Sequence, residues 1–155
     1  MTPLDLTKAA PRSPRIELRG LCMLPRMIDI ARALLHNGRS GEYQIGRGMS
    51  SGVFAAFDIS AAEFIELVRE AASDDEVAQR LWSRRSVSAA ALSQRLRSLT
   101  VADIPTELRA DFHRFYGSEH LADRRVFDVL EADDAQAFTK QAQMTQRPTE
   151  VQPTT

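Results

Sequence analysis

Lysine and cysteine are both scarce in this chain: two lysines stand against eighteen arginines, and Cys22 is the sole cysteine. One cysteine excludes an internal disulfide, and no Cys-x-x-Cys or Cys/His pair offers zinc-ligand spacing. A reducing compartment is the expectation. No apolar run approaches the roughly 20 residues that a membrane-spanning helix needs. The opening MTPLDLTKAAPRSPR has no apolar core, so it does not read as a signal peptide. A cytoplasmic location with no membrane partner follows as the expectation. Net charge is −1, which argues against a nucleic-acid partner.

What is present suits one domain. The chain has 155 residues, 43% of them apolar and 26% charged. That is an ordinary globular composition, and a chain of this length buries roughly 68–70% of its unfolded surface on folding. The charge is divided unevenly along it. Residues 1–47 carry eight basic and four acidic groups, whereas 48–155 carry twelve and seventeen. Five of the early arginines fall within PRSPRIELRGLCMLPRMIDIARALL, residues 11–35. Arginine in such numbers can reflect base composition, but its planar fork also matches carboxylate and phosphate in a way lysine cannot.

The pattern of breakers and periodicity predicts an all-α fold with at most a minor β element near 41–46. Pro3, Pro11 and Pro14 forbid a continuous helix over 1–20, so that segment reads as an extended strap packed on the domain. Its Leu4, Leu6, Ile16 and Leu18 alternate with polar residues as though pinned along a surface. The helical domain is expected over 21–138. Pro25 suits a first helical turn, and Asn37-Gly38 suits a helix stop just after His36. GEYQI, 41–45, is the one segment with strand character, and the glycines at 46, 48 and 52 read as a turn. Ser60 with Glu63 and Ser73 with Glu76 are capping-box patterns, and Ser88 opens another helix. TELRADFHRFY aligns Leu108, Phe112 and Phe115 on a further helix, and VFDVLEADDAQAF reads as the last one. The polar run over 139–155 reads as a disordered tail.

Several stretches invite a chemical reading. GMSSG, 48–52, has the form of a nucleophile elbow, but lacks the core strand that must precede one. G46-R-G-M-S-S-G52 is out of register for a dinucleotide loop and has no βαβ setting. His36, His113 and His120 have no metal-ligand spacing. Asp128, Glu131, Asp133 and Asp134 lack the regular oxygen spacing and turn glycine of a calcium loop. They read as a solvated face or as arginine partners. No metal and no cofactor is expected.

The arginines are the remaining feature. Winding 24–36 at 100° per residue puts Leu24, Met27, Ile28, Ala31, Leu34 and Leu35 on one face. Asp29 then lies within reach of Arg26 or Arg32 on a flank. Two roles compete for this cluster. Its members brace the strap and the acidic helices, or Arg12, Arg15, Arg26 and Arg32, with Tyr43, converge on a small anionic ligand.

DLTK at 5–8, PRSPR at 11–15, LPRMIDIAR at 24–32 and GEY at 41–43 together resemble a bacterial family known only as a domain of unknown function. The likeness continues more loosely through FDIS at 57–60, Phe64, ASDDEV at 72–77 and FDVLEADDA at 127–135. The resemblance implies a small cytoplasmic, mainly helical domain and carries no activity with it. After GEY the family continues with a Cys-Pro-Leu-Asp-type element, where this chain has QIGRGMSSGVF.

The sequence thus predicts an uncharacterised binding or interaction module, with an anionic ligand as the candidate guest. The alternative is a small enzyme acting on an anionic metabolite, with Asp29 or Glu42 as general base. The opposite charges of the two chain portions also allow homo-oligomers.

Overall fold

The computed structural model describes residues 1–117 and 122–145, with side chains described through Thr139. Among them the order is a hairpin of β1 (Glu17–Leu18) and β2 (Leu21–Cys22), then α1 (Leu24–Ala33), α2 (Met49–Phe57), α3 (Ala61–Glu70), α4 (Asp74–Arg84) and α5 (Ala89–Ser98). A 3-10 turn at Val101–Asp103, α6 (Thr106–Tyr116) and α7 (Val126–Thr145) complete it. The fold is mainly helical.

The small β element is real but lies elsewhere than expected. GEYQI forms turns and irregular chain, while the antiparallel pair is Glu17↔Cys22 and Leu18↔Leu21. Its two-residue loop, Arg19-Gly20, has φ of 50° and 76°. Positive φ at both central residues is the turn geometry whose twist matches a two-residue hairpin.

Helix starts follow their local caps. Ser60 accepts from the Glu63 N–H while Glu63 Oε2 accepts from the Ser60 N–H, a closed capping box. Ser73 and Ser88 accept from the N–H groups of Glu76 and Ala91 in the same way. Glu76 reaches back to Ala72 N–H rather than to Ser73, so that second box is only half formed. The Gly46–Gly48 turn is shorter than expected, because α2 begins at Met49 and takes Ser50 and Gly52 into its first turns. Ser50 is buried there, accepting from Gly46 N–H and donating to Arg47 C=O. Its hydroxyl is thus a local tie, and the chain leading directly into α2 is turn rather than strand.

The core is centred on α1. Leu24, Met27, Ile28 and Ala31 are fully buried, as are Phe57, Phe64, Val68 and Val77 from α2, α3 and α4. Phe54 tilts against Phe64 at 5.3 Å between ring centres, and Phe57 meets the edge of Trp82 at 4.9 Å. The expected one-sided stripe needs two corrections. The helix ends at Ala33 rather than near His36, leaving Leu34 41% exposed. At its end the chain turns so closely that a Cβ on Gly38 would lie 2.5 Å from Ala33 C=O. The polar side of α1 is also covered, since Arg26 and Asp29 are 4% and 6% exposed.

The strap supplies part of that cover. Leu6 joins Ile30 and Ala33 in a small satellite core, with Leu4, Tyr43 and Ile45 against it. Leu6 N–H donates to Arg39 C=O at 2.7 Å, Arg39 N–H to Leu4 C=O at 2.9 Å, and Met23 N–H to Pro14 C=O at 2.8 Å. Ile16, expected to be pinned, is 45% exposed instead. Helix α7 continues through Thr145, past the expected start of the tail at 139; residues 146–155 of that tail, and His120, lie outside the described residues.

Candidate functional site

Arg12 stands where the strap crosses α1. Its Nε and Nη2 donate to the two oxygens of Asp29 at 2.9 and 2.8 Å, and its backbone N–H adds a third bond at 2.9 Å. The same guanidinium reaches Asp74 at the start of α4 through Nη1 at 2.6 Å, and Pro25 C=O through Nη2 at 3.1 Å. One side chain thus ties strap, α1 and α4. Burial works against its charge, but the bonds to Asp29 and Asp74 outweigh that and raise the guanidinium above its ordinary pKa.

Arg26 and Arg15 do the same for α7. Asp128, Glu131 and Asp134 recur every three residues on that helix, so they line one side of it. Arg15 donates to Asp128 and, through Nε, to Glu131 at 3.1 Å, while Ser13 Oγ takes the other Glu131 oxygen. Burial would raise the Glu131 carboxyl, but Ser13 and Arg15 outweigh it and hold the group below its usual value. Arg26 forms a two-pronged bond with Asp134 at 2.7 and 3.0 Å, and its Nη1 also donates to Arg12 C=O at 3.3 Å. Tyr43 Oη donates to Asp134 at 2.8 Å, and the Arg26 guanidinium lies 5.5 Å from the Tyr43 ring centre. Burial, then the Asp134 contact, pushes the Tyr43 hydroxyl well above its ordinary pKa.

Arg12, Arg26 and Tyr43 lie together around Asp29 and Asp134, whereas Arg32 and Glu42 stay apart from them. Asp29 pairs with Arg12, not with Arg26 or Arg32. Arg32 donates through Nε to Thr2 C=O at 2.7 Å and joins no carboxylate among the described residues. Asp29 has both oxygens occupied by N–H donors, which is a poor starting state for a general base. Glu42 is exposed on a turn. Asp74 is the partner that sequence reasoning did not single out, while Asp134, read as part of a solvated face or as an arginine partner, takes the second role with Arg26. The runs SDDE and EADDA were the visible signal, but nothing local says which of their carboxylates turns inward. Every buried side-chain nitrogen or oxygen among the described residues has a partner, and no cluster of three metal-ligating side chains occurs among them.

An open surface groove of about 730 Å³ lies elsewhere, between the hairpin turn and α5. Helix α6 is a second exposed feature. None of its residues is fully buried, and Leu108 and Phe115 are 45% and 49% exposed.

Two comparisons complete the description. A family model described as "Domain of unknown function (DUF5069)" matches residues 8–136. No curated protein matches the chain.

Proposed function

We propose that this chain, which belongs to the DUF5069 family of domains of unknown function, is a non-catalytic cytoplasmic binding module whose strap arginines bind its own carboxylates. One observation carries the reading. The two buried charges of α1, Arg26 and Asp29, are each matched by an opposite charge from a distant segment, Asp134 and Arg12. A guanidinium already forked onto a carboxylate has few donors left for a guest. Arg12, Arg15, Arg26 and Tyr43 then act as braces, and the anionic ligand that arginine-rich chemistry favours binds outside the strap. The cytoplasmic part of the reading rests on a single, buried, unpaired cysteine.

The test compares urea unfolding of the wild type and Arg15→Gln in phosphate and in chloride at matched ionic strength. A brace gives a lower midpoint for the variant in both salts, with any phosphate-induced stabilisation unchanged. Loss of that stabilisation alone would make Arg15 a ligand-binding group and overturn the reading.

Exposed Leu108 and Phe115 on α6 favour a second role, self-association through that helix. Light scattering of the wild type and Leu108→Glu decides it: a multimer that becomes a monomer supports it, and a wild-type monomer at high concentration removes it.

A further inference from the structure

The groove beside the hairpin turn differs from the strap in its balance of charge: three arginines line it against a single carboxylate. Arg19 comes from the turn, Arg97 from α5 and Arg125 from the segment leading into α7, so three separate elements bring cations to one depression. Glu17 is the one carboxylate among the lining residues. Arg97 donates to Glu17 and to the Arg15 C=O, and the Arg97 and Glu17 side chains are 37% and 46% exposed. Arg19 forks onto Asp75, which is 67% exposed. Arg125 donates one N–H to Ser98 C=O and forms no ion pair among the described residues. Exposed pairs of this kind stabilise little and exchange readily.

The backbone supplies an independent sign. Arg19 has φ of 50°, in a turn position where asparagine, aspartate or glycine fits without strain. Left-handed backbone costs an arginine more than an exposed ion pair returns, and such residues concentrate at functional sites. Arg19 stands at the rim of the groove. The groove is an open depression, wide enough for an anion that carries a small organic group. Gln94 adds an exposed amide to the wall.

We infer that this groove binds a small phosphate monoester, with Arg97 and Arg125 holding the phosphoryl oxygens and the organic part lying along α5. The inference rests on the module reading above and names its guest. Charge-assisted forks onto a phosphate give both the affinity and the geometry.

Isothermal titration calorimetry with inorganic phosphate and with phenyl phosphate tests it. Both should bind, the ester more tightly, and Arg97→Gln should weaken them about tenfold. Glu17→Gln releases Arg97 from its competitor and should tighten binding severalfold, a gain that no folding defect can imitate. An Arg15→Gln variant should bind as the wild type does. Absence of binding by either probe, or binding unaffected by both Arg97→Gln and Glu17→Gln, would overturn the groove assignment while leaving the braced module intact. Binding abolished by Arg15→Gln but unchanged by Arg97→Gln would overturn both. Sulfate binding as tightly as phenyl phosphate would reduce the groove to a general basic patch, also against the inference.

Discussion

Replacing Arg12 by alanine is the sharpest single perturbation of the strap. It removes two side-chain bonds to Asp29, one to Asp74 and one to Pro25 C=O. The Asp29 side chain is only 8% exposed, and it would keep just the Arg12 backbone N–H as a donor. Breaking a fully buried pair costs about 3–5 kcal/mol. The Arg12 side chain is 34% exposed, so water can replace part of what is lost, and about 2 kcal/mol is the expected cost. For a domain of this size that lowers Tm by about 4–8 °C, at about 2–4 °C per kcal/mol. Arg19→Ala is the matched control. Its partner Asp75 is 67% exposed, so the cost should be small and well below that at Arg12. Arg12→Lys should recover only part of the loss, because an ammonium is a single point and cannot fork onto Asp29 while reaching Asp74. Urea unfolding followed by circular dichroism reads all three. Equal effects at Arg12 and Arg19, or full rescue by lysine, would refute the reasoning that burial and bidentate geometry make Arg12 a brace.

Acid should loosen the molecule in a defined direction. Asp75 is held below its usual 3.8 by Arg19, and Glu76 below 4.5 by the Ala72 N–H and Arg80. Glu131 is also lowered, Ser13 and Arg15 outweighing its burial. A carboxyl whose folded pKa is depressed contributes stability that is present above its unfolded value and lost as pH falls through the folded one. The urea midpoint should therefore be level near neutrality and fall below about pH 4.5, with protons taken up on unfolding; a midpoint that rises in that range would contradict the assignment. Burial raises the Cys22 thiol, and its contact with Ser93 only partly opposes this. Cys22 should consequently react with a disulfide reagent only as fast as the domain opens, and prompt labelling of the folded protein would show that the hairpin does not seal it.

Much of the helical layout could be read from local signals, because the information is local. Ser60-Glu63 and Ser88 specify helix starts within four residues, and their caps form as written. The hairpin was harder to see. Arg19-Gly20 makes a turn that Asn-Gly would announce plainly, and strands of two residues are too short to show alternation. The arginine cluster itself was legible as residue types, but its pairing was not. Arg26 meets Asp134 across 108 residues and Arg15 meets Glu131 across 116, and no periodicity spans such a separation. The covered polar side of α1 follows from the same fact: a helical wheel shows which face is apolar, not what later segment lies over the polar one. The groove was invisible for a like reason, since its three arginines sit on elements that meet only in the folded chain.

The central claim is that buried arginine–carboxylate pairs hold the strap side of α1 to α7, and the Arg26–Asp134 pair tests it most directly. Its side chains are 5% and 11% exposed, so solvent screens it least. A double-mutant cycle with Arg26→Met, Asp134→Leu and the double variant isolates the pair. Each single change should be strongly destabilising and the double variant far less so than their sum, with a coupling of at least about 2 kcal/mol. Additive effects, with coupling within about 0.5 kcal/mol of zero, would contradict it.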